Sequence, residues 1–186
     1  MQTDIVKKLF TVDEYHRMGE AGILTEDDRV ELIKGEIVQM SPIGNRHMVC
    51  VDRAMYTLIS TLKNQAHVSI QNPLQLDDYS EPQPDVIVLK PRADYYSGRT
   101  RTPSDVLLMI EVSDPTLLYD CNVKVPLYAA SGVSEVWVED LQNDVILVYR
   151  DPAGPAYKTT FTRRHGETIS PLACPSVAFT VADFLG

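Results

Sequence analysis

Cysteine is scarce in this chain of 186 residues, and its three copies, Cys50, Cys121 and Cys174, form no C-x-x-C pair. An odd, widely spaced set argues against a disulfide framework or a zinc site and points to free thiols in a reducing cytoplasm. Long apolar runs are missing as well. A membrane span needs about 18 consecutive apolar residues, whereas the runs here are as short as Val106-Leu107-Leu108-Met109-Ile110. The start, Met1-Gln2-Thr3-Asp4, has no basic segment leading into an apolar one, so no secretory signal is read there. Basic charge is in deficit: 17 Lys plus Arg face 26 Asp plus Glu, a formal net charge of -9. Both halves share it, with ten basic and fourteen acidic side chains in residues 1–93, and seven and twelve in residues 94–186. Phosphate neutralisation dominates nucleic-acid affinity, so composition taken alone argues against such a partner. What is present is an ordinary 44% of hydrophobic residues with no repeat, low-complexity tract or linker. That predicts one domain spanning residues 1–186, with a core that needs no staples.

Residues 10–22 open the fold. Thr11 and Glu14 fit a capping box, with Phe10 and Tyr15 at hydrophobic-staple positions, predicting a short helix that stops before Gly22. Residues 30–40 are β-prone around Lys34-Gly35, which reads as a tight hairpin turn. Asn45 is placed to cap the next helix, over residues 46–64, where Met48, Val51, Met55, Leu58 and Leu62 make an apolar stripe. Strands are expected at 68–71 and 74–76, followed by a polar turn at 77–83. The apolar runs 86–89 and 106–112 suit central strands buried on both faces, joined by a polar connection over 90–104. A second helix runs from about 119 to 131 and ends at Gly132. Because proline is comfortable only in a first turn or at a kink, Pro126 requires this helix to begin near Asn122 or to bend there. Strands follow at 133–139, 145–150 and 157–162, with one helical turn at the end of the chain. The order predicts an α/β fold with helices flanking one mixed central sheet.

Three acids stand out by their surroundings. Glu31 begins an apolar strand, Asp85 begins Val86-Ile87-Val88-Leu89, and Glu111 follows five apolar residues and precedes Val112. A carboxylate in such a place is costly unless it is paired or bound to a metal. Side by side, Asp85 and Glu111 would make a negative pocket of hard oxygen donors, suited to Mg²⁺ or Mn²⁺; the bland alternative is a solvated strand end. Asp120, Lys124 and Tyr128 are spaced i, i+4, i+8 and share one helical face, so Lys124 can supply the opposite charge.

Gln83-Pro84-Asp85, Ile110-Glu111-Val112-Ser113 and Lys124 together resemble the PD-(D/E)XK nuclease superfamily. Ser113 stands where that pattern carries its usual lysine. The wider set resembles the Uma family of restriction endonucleases: Phe10-Thr11-Val12-Asp13-Glu14-Tyr15, residues 30–38, Ser41-Pro42, His47, Asp120, Tyr128 and residues 132–138 occur in the family's order. The resemblance implies a restriction-endonuclease-like core and a Mg²⁺-dependent DNA endonuclease, with Mn²⁺ a substitute. It implies Asp85, Glu111 and the Val112 carbonyl as metal ligands, with Glu31 completing the site. Lys124, on the following helix, would take the absent lysine's place and orient or help deprotonate the attacking water. Cleavage of both strands implies a homodimer.

Other residues carry open alternatives. His47 could contact substrate or only cap its helix, and Tyr128 reads as packing with its hydroxyl at the rim. His16, His67 and His165 share no ligand spacing and read as incidental; Ser113 has no histidine to activate it; Trp137 reads as core. Lys90, Arg92, Arg99 and Arg101, interleaved with Tyr95 and Tyr96, make either a DNA-facing loop or a solvated connection. A rival to catalysis is a nucleic-acid-binding or assembly module on the same fold; a third option is hydrolysis of RNA or another phosphodiester.

Overall fold

The computed structural model describes residues 6–186. Helix α1 (Val12–Glu20) starts at Thr11, whose side chain accepts from the Glu14 N–H while the Glu14 carboxylate takes the Thr11 N–H, the reciprocal cap that the sequence predicts. Strands β1 (Val30–Ile33) and β2 (Glu36–Gln39) form the expected hairpin. Lys34 and Gly35 both take positive φ, at 51° and 79°, as a two-residue turn with the strands' own twist requires. A Cβ on Gly35 would lie 2.6 Å from the Leu9 side chain, so the turn also needs glycine for room.

Helix α2 (Asn45–Leu62) is capped at Gly44, and Asn45 is its first residue, which corrects the expected cap. Its buried face is Cys50, Val51, Ala54, Leu58 and Leu62; Met48 is exposed and Met55 only half-buried, so the apolar stripe is displaced from the one read. A six-stranded sheet follows, in the order β3 (His67–Ile70), β4 (Val86–Leu89), β5 (Val106–Ser113), β6 (Glu135–Asp140), β7 (Val145–Ala153), β8 (Ala156–Arg164). It is mixed: β5 and β6 run parallel and every other neighbour pair antiparallel. This is the expected mixed central sheet, and the hairpin stands apart from it; an isolated bridge from Leu32 to Glu81 links the hairpin to the connection before β4. Residues 74–76 are no strand, although Leu74 is fully buried and its N–H donates to the Pro82 carbonyl.

After β5 the chain forms α3 (Leu117–Tyr119), a π-helical turn over Asp120–Lys124, and α4 (Val125–Ala130). Here the Val125 N–H reaches the Asp120 carbonyl, one residue further back than in an α-helix. The bend expected from Pro126 is this wider turn: proline has no N–H, and its ring crowds the preceding turn. The chain closes with β9 (Thr168–Ile169), β10 (Phe179–Thr180) and α5 (Val181–Leu185).

Two apolar layers sandwich the sheet. On one side Leu108, Ile110, Val112 and Trp137 pack with α2 and α5; on the other Met109, Val136 and Val138 pack with α4. Period-two alternation along β5 therefore turns Glu111 and Ser113 towards α4. No helix among the described residues is long and apolar enough to cross a membrane.

Candidate active site

The hairpin, the start of α2, the ends of β4 and β5 and the π-turn enclose a cleft of about 1270 Å³. Glu31, His47, Asp85, Glu111, Val112 and Lys124 all line it. Asp85 stands just before β4 and Glu111 near the end of antiparallel β5, so adjacent strands deliver both acids to one end of the sheet. The Val112 N–H donates to Asp85 Oδ2 at 2.9 Å. His47, in the first turn of α2, places Nε2 3.1 Å from the same oxygen, and Gln71 donates to Oδ1 at 3.3 Å. His47 is therefore no mere cap. Burial lowers its pKa, but the hydrogen bond and charge of Asp85 outweigh this and raise it on balance.

Glu31 reaches the cleft from the separate hairpin. It is buried, and its Oε2 accepts the Gln83 N–H at 3.1 Å. Lys124 Nζ lies 3.2 Å from Glu31 Oε2 and 3.4 Å from Glu111 Oε1, joining hairpin to sheet through one ammonium group. Tyr128 corrects its expected place at the rim: it is fully buried, and its hydroxyl donates to Glu111 Oε1. Burial pushes the Glu111 carboxyl up to about 8, against the lowering by Lys124 and Tyr128. Burial lowers the Lys124 pKa, yet Glu111 and Glu31 raise it further, so the side chain is held as a cation. Ser113, in the place of the usual lysine, donates to Asp120 Oδ2 at 2.7 Å and clamps the π-turn to β5.

The chemistry available is that of two hard carboxylates beside a fixed ammonium. Among the described residues, no group of three or more His, Cys, Asp or Glu side chains is arranged to cage an ion. Two carboxylates still fit Mg²⁺, which commonly takes one or two of them and keeps several waters. A protein cage for a larger or softer ion does not fit this donor set.

Sequence reasoning missed some of the cleft. His16 and Glu81 form a close pair, His16 lines the cleft, and neither was assigned a role. Only the packing of α1 against the connection before β4 brings them together, and no spacing could reveal that. Asp120, read only as a partner of Lys124, lines the cleft through its bond to Ser113. Conversely, Arg92, Arg99 and Arg101 are not brought to the acids. Their connection leaves the far end of β4, where Arg92 pairs with Asp94 at 2.6 Å and Arg99 with Asp105. Trp137 is core, as read, with its indole N–H on Glu135.

A family model described as "Uma2: Putative restriction endonuclease" matches residues 12–182. The chain belongs to the Uma2 family. The family's description supports nuclease function in general. A solved structure from Anabaena variabilis, described as "a putative nuclease belonging to DUF820", superposes with a TM-score of 0.73. The two share 15% identity, over 95% of this chain and 97% of that one, a likeness of fold. None of the curated proteins matches. The Uma2 residues quoted from the sequence now have places: Glu31, His47, Asp85, Asp120, Lys124 and Tyr128 converge on Glu111 or its cleft.

Proposed function

We propose that this Uma2-family chain is a Mg²⁺-dependent endonuclease that hydrolyses phosphodiester bonds in DNA, with Mn²⁺ able to substitute. The observation that carries the reading is Lys124, brought by a π-turn onto Glu111 at the end of the sheet where Asp85 also lies. Asp85 and Glu111 would hold the cation, with the Val112 carbonyl a third donor. A cation there supplies Lewis-acid polarisation of a phosphoryl oxygen and makes water more acidic.

The remaining work falls to the chain's own residues. His47 and the Val112 N–H fix the Asp85 carboxylate. Glu31 holds Lys124 towards the cleft, and Tyr128 fixes Glu111 from behind. Its carboxylate neighbours favour the Lys124 cation, a charge placed to orient the attacking water and stabilise charge developing on the phosphoryl oxygens. A non-catalytic module would need Lys124 only to offset Glu31 and Glu111, so its substitution would then change stability and no cleavage. Cutting both strands of a duplex takes two such clefts, so a symmetric homodimer belongs to the reading. One domain over residues 1–186, working in the cytoplasm, accords with the three free cysteines.

Plasmid DNA incubated with Mg²⁺ or Mn²⁺ tests the proposal. Nicking should appear, stop with EDTA, and disappear in both Glu111→Ala and Lys124→Ala. Cleavage that survives both substitutions would rule out this cleft as its source.

A further inference from the structure

Edge strand β3 connects two unlike surfaces. Gln71, just beyond its end, lies in the cleft and bonds Asp85; His67, its first residue, lies in a separate groove of about 420 Å³. The end of α2, the start of β3 and the connection after β4 form this groove, with Lys63, His67, Arg92 and Tyr95 on its walls. No acidic side chain lines it, whereas Glu20, Glu31, Asp85, Glu111 and Asp120 line the cleft.

Local charge here opposes the charge of the whole chain. Asp94 and Asp105, the acids of the connection, are engaged by Arg92 and Arg99. Lys63 and Arg101 have no ion-pair partner among the described residues. Arg101 belongs to the same connection after β4, and burial, then its charge, lowers the His67 pKa. Tyr95 is 69% exposed, with its ring edge-on to His67 at 5.2 Å. Tyr95 and Tyr96 are consecutive left-handed residues, at φ 50° and 64°, a costly conformation for bulky side chains. Tyr96 anchors the turn: its hydroxyl donates to the Lys90 carbonyl at 2.7 Å, and the Arg92 and Arg99 guanidiniums lie over its ring. The anchored turn holds Tyr95 out in solvent.

We infer that this groove is a second contact for the nucleic acid, taking backbone phosphates on Lys63 and Arg101 and a sugar–phosphate unit against Tyr95. It rests on the nuclease reading above. The four residues of β3 set the two surfaces about 13 Å apart, roughly four base pairs of duplex axis. Phosphate contacts of this kind position a duplex without reading its sequence. Lys63 and Arg101 thus add unpaired positive charge at a distance from the cleft, where acids predominate.

The test is the affinity of the full chain for a labelled duplex two helical turns long, in EDTA at several salt concentrations, alongside nicking of plasmid DNA in Mg²⁺. Neutralising Lys63→Gln and Arg101→Gln together should weaken binding about tenfold and reduce the log–log salt slope by about 2. The charge-preserving double Lys63→Arg, Arg101→Lys should keep both affinity and slope. If the unsubstituted chain binds and nicks DNA but the neutralised double matches it in affinity and slope, the groove is not a contact. Equal loss in both doubles overturns the inference too, since the effect would not follow charge. If the unsubstituted chain neither binds nor nicks, the nuclease reading fails and takes this inference with it.

Discussion

Glu111 and Glu139 lie on neighbouring strands β5 and β6, one residue apart in register, and both are almost wholly shut off from water. Alternation turns them to opposite faces of the sheet. Glu111 meets Lys124 and Tyr128 beneath the π-turn; Glu139 faces the layer under α2, where neither carboxyl oxygen has a hydrogen-bond partner. Burial pushes both pKa values up, Glu111 to about 8 and Glu139 well above the carboxylate range. Among the described residues only Glu111 has a cation in ion-pair contact; Arg53 favours ionised Glu139 without such contact. Burial alone makes a neutral acid; burial beside a fixed ammonium, in an open cleft, makes a group ready to ionise when a divalent cation arrives.

Substitutions can break this comparison in order of effect. Glu111→Gln keeps the shape and removes the charge, and should lower nicking by at least about 100-fold; Glu139→Gln should leave it nearly unchanged. Lys124→Ala should be the most destabilising of the set, by ~3–5 kcal/mol, because Glu31 and Glu111 would share a buried site without their cation. Chemical denaturation at neutral pH measures that loss. Tyr128→Phe leaves Glu111 Oε1 without its hydroxyl donor and should cost ~1–3 kcal/mol, with a smaller loss of activity than Lys124→Ala.

The smallest effect is a pH dependence. A carboxyl whose folded pKa lies above its unfolded value favours the protonated, folded state. Its contribution is fully present below the unfolded value near 4.5 and is lost as pH rises towards the folded value. The unsubstituted chain should therefore lose stability as pH climbs from about 4.5, in the carboxylate range, and Glu139→Gln should flatten part of that fall. Melting temperatures of the two chains across this range give the comparison.

Sequence and structure part company in instructive places. The buried strands 86–89 and 106–112 were legible because uninterrupted apolar runs have few other uses, and the Thr11 cap because its chemistry is local. Glu111 and Asp85 could be paired because the cost of a buried carboxylate can be judged without coordinates. The distance of the basic loop from the acids has a topological reason. In an antiparallel pair the connection lies at the end opposite both acids, so residues 90–104 could not reach them. The Tyr128 hydroxyl depends on a π-turn that Pro126 only hinted at, and His16 with Glu81 on the packing of α1 against the connection before β4, which leaves no local trace. Glu139 looked like any charged strand residue until its register partner, Val112, placed it under α2.

Calorimetric titration of Mn²⁺ into the chain, followed in buffers of different ionisation heat, tests the metal centre most directly. One Mn²⁺ should bind with proton release, because Glu111 must ionise to accept it, and binding should vanish in Asp85→Asn and Glu111→Gln while Glu139→Gln keeps it. Binding that persists in both cleft variants, or that depends on Glu139 instead, would contradict the assignment of Asp85 and Glu111 as the metal ligands.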